Sequence, residues 1–202
     1  MPSVPATRIH ARNILRAHRD SSDTEVFTLA VDTFNSGQRY VAYELLRAAP
    51  RALAAAKVAD IRRFTQDMTS WSEVDCFGCF VGGVAWRLGR LSDKDIARFA
   101  GSPDRWQRRA ALVSTVPLNA KSRGASSAAG DAKRTLAVCT LLVDDRDDMV
   151  VKAMSWALRE LAKRDSVAVR GFLTKHGERV AARVRREVGN KLITGRKARP
   201  IS

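Results

Sequence analysis

The sequence predicts an all-α fold. Apolar residues recur at helical spacing through most of the chain, strand-like alternation is nearly absent, and Ala, Leu, Arg and Val fill long windows. A third pattern narrows the class. Arg39-Tyr40-Val41-Ala42, Arg109-Ala110-Ala111-Leu112 and Lys152-Ala153-Met154-Ser155 each begin with a base and continue apolar, and Asp75 opens a similar stretch, Cys76-Phe77-Gly78-Cys79-Phe80-Val81, between the first two. The steps from Arg39 to Asp75, to Arg109 and to Lys152 are 36, 34 and 43 residues, the longest containing a loop insertion. Two-helix solenoid repeats of the HEAT type have such a period. In a solenoid, equivalent positions of consecutive repeats line one surface. Asp75, Arg109 and Lys152 are therefore expected on one basic concave face, with Trp71 one turn before Asp75 and Trp156 one turn after Lys152. From pattern alone, an irregular helical domain with this spacing by chance is the alternative.

The elements follow in chain order. Met1 to Arg19 contains Arg8, Arg12, Arg16 and Arg19 without an acid and runs into helical pattern. An organelle transit peptide has that charge bias but is richer in serine, so a helix of the fold is preferred. Ser22-Asp23-Thr24-Glu25 reads as a capping box, and Ser36-Gly37 ends that helix and starts the next. Pro50 closes the segment carrying Leu45 and Leu46; helices are then expected over Val58 to Met68 and about Ser72 to Leu88. Ser92 to Asp95 caps a short helix, and Ser102-Pro103-Asp104 places an N-cap and an N1 proline before Trp106. Pro117 to Asp131 reads as an inserted flexible loop. Asp144, Asp145, Asp147 and Asp148 precede a helix over Val150 to Lys163 and complement its N-terminal dipole; they lack the Gly and distal Glu of a calcium loop. Asp165 to His176 and Glu178 to Leu192 are the last helices. One domain over residues 1–195 is expected, with a basic tail over 196–202.

Composition limits the partners. Lys and Arg exceed Asp and Glu by 36 to 21, a formal charge of +15 spread along the whole length, so a polyanion is the expected partner. No stretch approaches the roughly 18 unbroken apolar residues of a transmembrane helix, so no membrane partner is expected. Three cysteines give an odd count without a disulfide framework, which suits a reducing cytosol. Cys76 and Cys79 form a CxxC, but no second pair or nearby histidine completes a zinc site, and they read as small apolar core residues. His10, His18 and His176 share no ligand spacing. No metal and no cofactor is expected.

Three motifs carry a resemblance. Ser70-Trp71-Ser72-Glu73-Val74-Asp75, Trp106-Gln107-Arg108-Arg109-Ala110-Ala111 and Lys152-Ala153-Met154-Ser155-Trp156-Ala157-Leu158-Arg159-Glu160 resemble, in order and spacing, signatures of the DNA alkylation repair enzymes. These are AlkD-type alkylpurine DNA glycosylases built of HEAT-like repeats. The similarity runs from about Val4 to Leu192, with Gln38 to Leu46 a weaker fourth match. It implies that Asp75 is the catalytic carboxylate and that Trp71 and Trp156 flank the damaged nucleotide. Arg109 would contact the DNA backbone near the lesion and Arg159 a further phosphate, with Lys152 and Arg108 completing the DNA-binding set. The implied activity is hydrolysis of the N-glycosidic bond of cationic bases such as 7-methylguanine and 3-methyladenine, opening base-excision repair without metal or organic cofactor and without drawing the base into a tight pocket. Relative to the family, the N-terminal helices are shortened.

The chemistry of the residues agrees with this resemblance. A cationic base leaves readily without a general acid; its departure creates an oxocarbenium-like sugar that a fixed carboxylate stabilises, and indole faces attract a nearby cation. Trp86 and Trp106 are expected in the core. A monomer acting on double-stranded DNA, cytoplasmic and nucleoid-associated, is the expected whole. The alternative is a catalytically silent HEAT-like module that binds DNA or distorted DNA structures.

Overall fold

The computed structural model describes residues 4–120 and 130–198. Every regular element among the described residues is helical, so the chain is all-α. It divides into two compact units, Met1–Ser92 and Asp93–Ser202.

The first unit contains α1 (Val4–Ala17), α2 (Asp23–Asn35), α3 (Arg39–Ala48), α4 (Val58–Arg63), α5 (Trp71–Phe77) and α6 (Gly83–Arg87), with a 3-10 stretch at Pro50–Ala55 and a π-helical turn at Gly78–Gly82. α2 begins in the expected capping box: the Glu25 N–H donates to Ser22 Oγ at 3.3 Å while the Ser22 N–H donates to Glu25 Oε2 at 2.7 Å. It ends at Ser36, and Gly37 takes φ +85°, a conformation that suits glycine. α4 stops earlier than its apolar pattern suggests. The Thr65 hydroxyl donates to the Arg62 carbonyl at 2.7 Å and Asp67 turns left-handed at φ 51°, so the chain leaves the helix before Met68. α3 packs on both α1 and α2, and α2 and α3 contribute to an aromatic cluster in which Phe64 meets Phe34 at 4.9 Å between ring centroids. Tyr43 is fully buried there and its hydroxyl donates to the Phe64 carbonyl at 2.8 Å, which satisfies its polar end. From Trp71 to Arg87 the backbone is one helical run, as expected, but the Gly83 N–H donates to Gly78 O, five residues back, and this lodges one extra residue in the turn.

The second unit contains α7 (Asp93–Ala100), α8 (Arg105–Val113), α9 (Val116–Asn119), α10 (Ala132–Leu141), α11 (Asp148–Leu161), α12 (Ser166–His176) and α13 (Ala182–Thr194). α11 is its centre, packed by α8, α9, α10, α12 and α13, with Val150, Ala153, Met154, Ala157, Leu158 and Leu161 buried. Asp147 caps it, accepting the Met149 and Val150 N–H groups at 2.8 and 3.4 Å, so the acid run serves the helix start. At α8 the cap is Asp104, not Ser102: Asp104 Oδ1 accepts the Trp106 N–H at 2.9 Å, and Pro103 lies outside the helix. Pro117 to Asn119, read as the start of a loop, form α9 instead, with Pro117 in the first turn, where its missing N–H costs nothing. The rest of that loop, residues 121–129, lies outside the described residues, as do residues 199–202 of the tail. Asn119 fastens both flanks of the segment: its side chain donates to the Thr115 carbonyl at 3.0 Å and to Thr135 Oγ1 at 2.8 Å, and accepts the Asp131 N–H at 3.0 Å. α13 starts four residues later than the pattern suggests, because Gly177 at φ +46° leads a 3-10 turn over Gly177–Arg179.

His176 is buried, its ring 4.5 Å from that of Phe172. Burial, and then the charges of Lys175 and Arg179, hold its pKa below the ordinary 6.5. The unfolded chain therefore binds this proton more tightly than the folded one, and the cost to stability grows as pH falls below 6.5 towards the folded value. His176→Gln is expected to flatten the pH dependence of Tm between about 6.5 and 5 relative to the unsubstituted protein. Parallel curves from calorimetry would contradict this.

Candidate active site

The start of α5 is fixed from two sides. Ser70 Oγ accepts the Glu73 N–H at 3.4 Å, and Glu73 Oε2 accepts the N–H groups of Ser70 and Thr69 at 3.1 and 2.8 Å. The other carboxylate oxygen of Glu73 lies 3.6 Å from Arg39 Nε on α3, and the Arg39 guanidinium sits over the Phe34 ring at 4.7 Å. Tyr40 and Ser72 share a hydroxyl–hydroxyl bond of 2.7 Å. This frame presents Trp71 as the first helical residue, 58% exposed, with half-buried Asp75 one turn later on the same side. A tryptophan held mostly in water at a capped helix start offers an apolar surface to a partner.

Cys76, next to Asp75, is disfavoured as a thiolate. Burial, reinforced by the Glu44 and Asp75 charges, pushes its thiol up to about 11. Burial alone raises fully buried Cys139 to about 12. Among the described residues no group of His, Cys, Asp and Glu is arranged to hold a metal ion, and no helix is long and apolar enough to cross a membrane.

The other predicted residues lie in the second unit, on α8 and α11. Arg109 is buried, 6% exposed, and its Nη1 donates to the Met149 carbonyl at 2.6 Å, tying α8 to the first turn of α11. Arg108 spends its donors internally, on Asp145 Oδ2 at 2.7 Å and on the Pro103 and Ser102 carbonyls at 2.7 and 3.1 Å. Lys152 is exposed and pairs with Asp148 at 2.6 Å. Lys152 and Arg109 thus differ in exposure, although their motif positions correspond. Trp156 is half-buried on α11. Of the two tryptophans expected in the core, Trp86 is buried and Trp106 only half so, with Arg105 over its ring at 4.8 Å.

Arg159 is held by groups that sequence reasoning did not single out. Its Nε donates to the carbonyl and hydroxyl oxygens of Ser155 at 3.1 and 3.2 Å, and Glu187 Oε2 lies 4.0 Å from Nη2. The Ser155 hydroxyl donates to that same Glu187 oxygen at 2.6 Å. Arg183 and Lys197 also approach the Glu187 carboxylate, at 3.7 and 3.6 Å. Burial lowers the Arg159 pKa, opposed by the charges of Glu187 and Glu160. Glu187 is the single acid in α13, the one signal that could have marked it.

No curated protein and no solved structure matches the chain. A family match extends over residues 3–192 and takes in α5, α8 and α11 with every candidate residue they carry. With an all-α fold and a match over nearly its whole length, this chain belongs to the DNA alkylation repair enzyme family.

Proposed function

We propose that the protein is a monofunctional DNA glycosylase that removes cationic alkylated purines, such as 7-methylguanine and 3-methyladenine, from double-stranded DNA. The observation that carries this reading is Trp71, 58% exposed at a capped helix start with Asp75 one turn behind it. An indole face in water favours a cation, and the sugar becomes one as the base departs. In the reaction the C1′–N bond breaks and its electron pair neutralises the cationic base. The Asp75 carboxylate stabilises the oxocarbenium-like sugar and orients a water, whose oxygen bonds to C1′ and whose proton is lost to solvent. Trp156 is the second aromatic wall. Lys152, Arg159, Arg109 and Arg108 form the DNA-binding set, of which exposed Lys152 is best placed to meet phosphate directly and Arg108 and Arg109 act through the helix junction they brace. The chain is read as HEAT-like repeats in a cytoplasmic, nucleoid-associated monomer that needs no cofactor.

Purified protein incubated with methylated duplex DNA is expected to release free methylated base, detected by chromatography, above a buffer control. Release of cationic 7-methylguanine is expected to be far faster than that of neutral 1,N6-ethenoadenine, since the proposed reaction uses no general acid. Tight DNA binding with no base released would replace this reading by that of a silent DNA-binding module.

A further inference from the structure

From the first unit the proposed DNA contacts take only Trp71 and Asp75, although its most basic element is α1. α1 has no acid; Arg19 lies just beyond its end, and Arg8, Arg12 and Arg16 within it fall at intervals of four residues. At about 100° per residue they lie within an arc of roughly 80°. The four are exposed. Thr7 and Ala11, on another side of α1, are buried, and α1 packs against α3. The helix is therefore docked with its charged stripe outward.

One end of the stripe is built. Glu44 on α3 is 5% exposed; Arg8 Nε lies 3.2 Å from its Oε1 and Arg47 pairs with Oε2. Two guanidinium groups on one carboxylate leave an excess positive charge, and the Arg8 and Arg47 side chains stay 45% and 30% exposed. Arg47 lies 5.8 Å from the centre of the Phe80 ring, in the π-helical turn that follows α5, so the cluster adjoins the run that carries Asp75. The charges of Arg8, Arg47, Glu44 and Asp75 all act on the Cys76 thiol, as such closeness requires.

We propose that α1 is a backbone-tracking surface for duplex DNA, in which Arg12 and Arg16 meet successive phosphates and the Arg8–Glu44–Arg47 cluster fixes the end nearest Asp75. The inference rests on the reading of the protein as one that acts on DNA. Fixed arginines spaced along a helix suit a polyanion, and phosphate neutralisation needs no base-specific contact. An anionic membrane is the other polyanionic surface, but an interfacial helix inserts a broad apolar face. Here part of the non-basic side is already spent on α3, which leaves Val4 and Ile9 as the exposed large apolar residues of α1.

The test is the salt dependence of affinity for an undamaged duplex. Arg12→Ala with Arg16→Ala is expected to lower the slope of log affinity against log salt by about two, one per lost phosphate contact, with an unchanged helical spectrum and Tm. Arg12→Lys with Arg16→Lys should keep the slope. Removing two exposed arginines of the second unit, Arg170→Ala with Arg186→Ala, should change it less. An unchanged slope in the first variant, or an equal change in the last, overturns the proposal; so does loss of binding to phosphatidylserine vesicles with DNA binding intact. If the unsubstituted protein shows α1-dependent DNA binding but releases no base, this proposal stands and the glycosylase reading falls. If it releases base while the first variant keeps its slope, the reverse holds.

Discussion

Asp75→Asn is expected to lower single-turnover base release by about 100-fold or more while leaving DNA affinity unchanged or slightly raised. The substitution keeps shape and polarity and removes only the charge, and loss of one key electrostatic stabiliser typically costs 10²–10³ in rate, or about 3–4 kcal/mol. Affinity does not share the loss, because a carboxylate facing a polyanion repels it. A purely structural role as a helix cap is already filled: Ser70 caps α5 and Glu73 completes the box, with Asp75 beyond the first turn. Single-turnover rates with saturating protein, beside thermal melts, give the answer. Release at the unsubstituted rate would remove Asp75 from the chemistry.

Arg109→Ala is expected to act first on the fold. The side chain is buried and donates to the Met149 carbonyl at 2.6 Å, so truncation removes a charged donor from the first turn of α11 and opens space between α8 and α11. A buried bond from a charged donor contributes about 1.5–3 kcal/mol, which corresponds to a fall in Tm of roughly 5–10 °C for a chain of this size. DNA binding should weaken with it, since the turn that precedes Lys152 is loosened. Lys152→Ala is the comparison: its exposed side chain should lower the salt slope by about one without moving Tm. An Arg109→Ala variant that melts with the unsubstituted protein yet loses DNA affinity would show that Arg109 meets phosphate directly and does not act through α11.

Local rules made the helices legible. The Ser22–Glu25 box, the Gly37 turn and the acids before α11 each depend on residues a few positions apart, and each formed as read. The errors lie where longer-range contacts or competing caps decide. The apolar run after Val58 reads as helix to Met68, but the Thr65 hydroxyl bond and the left-handed Asp67 end it early. Ser102 and Asp104 both suit a cap, and the carboxylate took the Trp106 N–H. At the candidate site, motif spacing identified the residues but not their exposure. Arg108 and Arg109 lie two and three residues from the motif tryptophan Trp106, yet their partners Asp145 and Met149 come from another helix or the loop before it. The Glu187 contacts of Ser155 and Arg159 span 32 and 28 residues, and no local pattern encodes them.

The π-helical turn at Gly78–Gly82 sets the angular phase of the helical run that carries Asp75. In an uninterrupted α-helix, eleven residues at 3.6 per turn would bring Asp75 and Trp86 to within about 20° of the same side. Trp86 is 1% exposed in the core, so Asp75 would be turned towards the core with it. One residue absorbed in the wider turn shifts the downstream part by about 100° and leaves the two roughly 80° apart. A single length of chain thereby serves two environments. The turn acts as a phase shifter, and keeping Asp75 out of the core depends on the number of residues between it and Trp86 as much as on their identity.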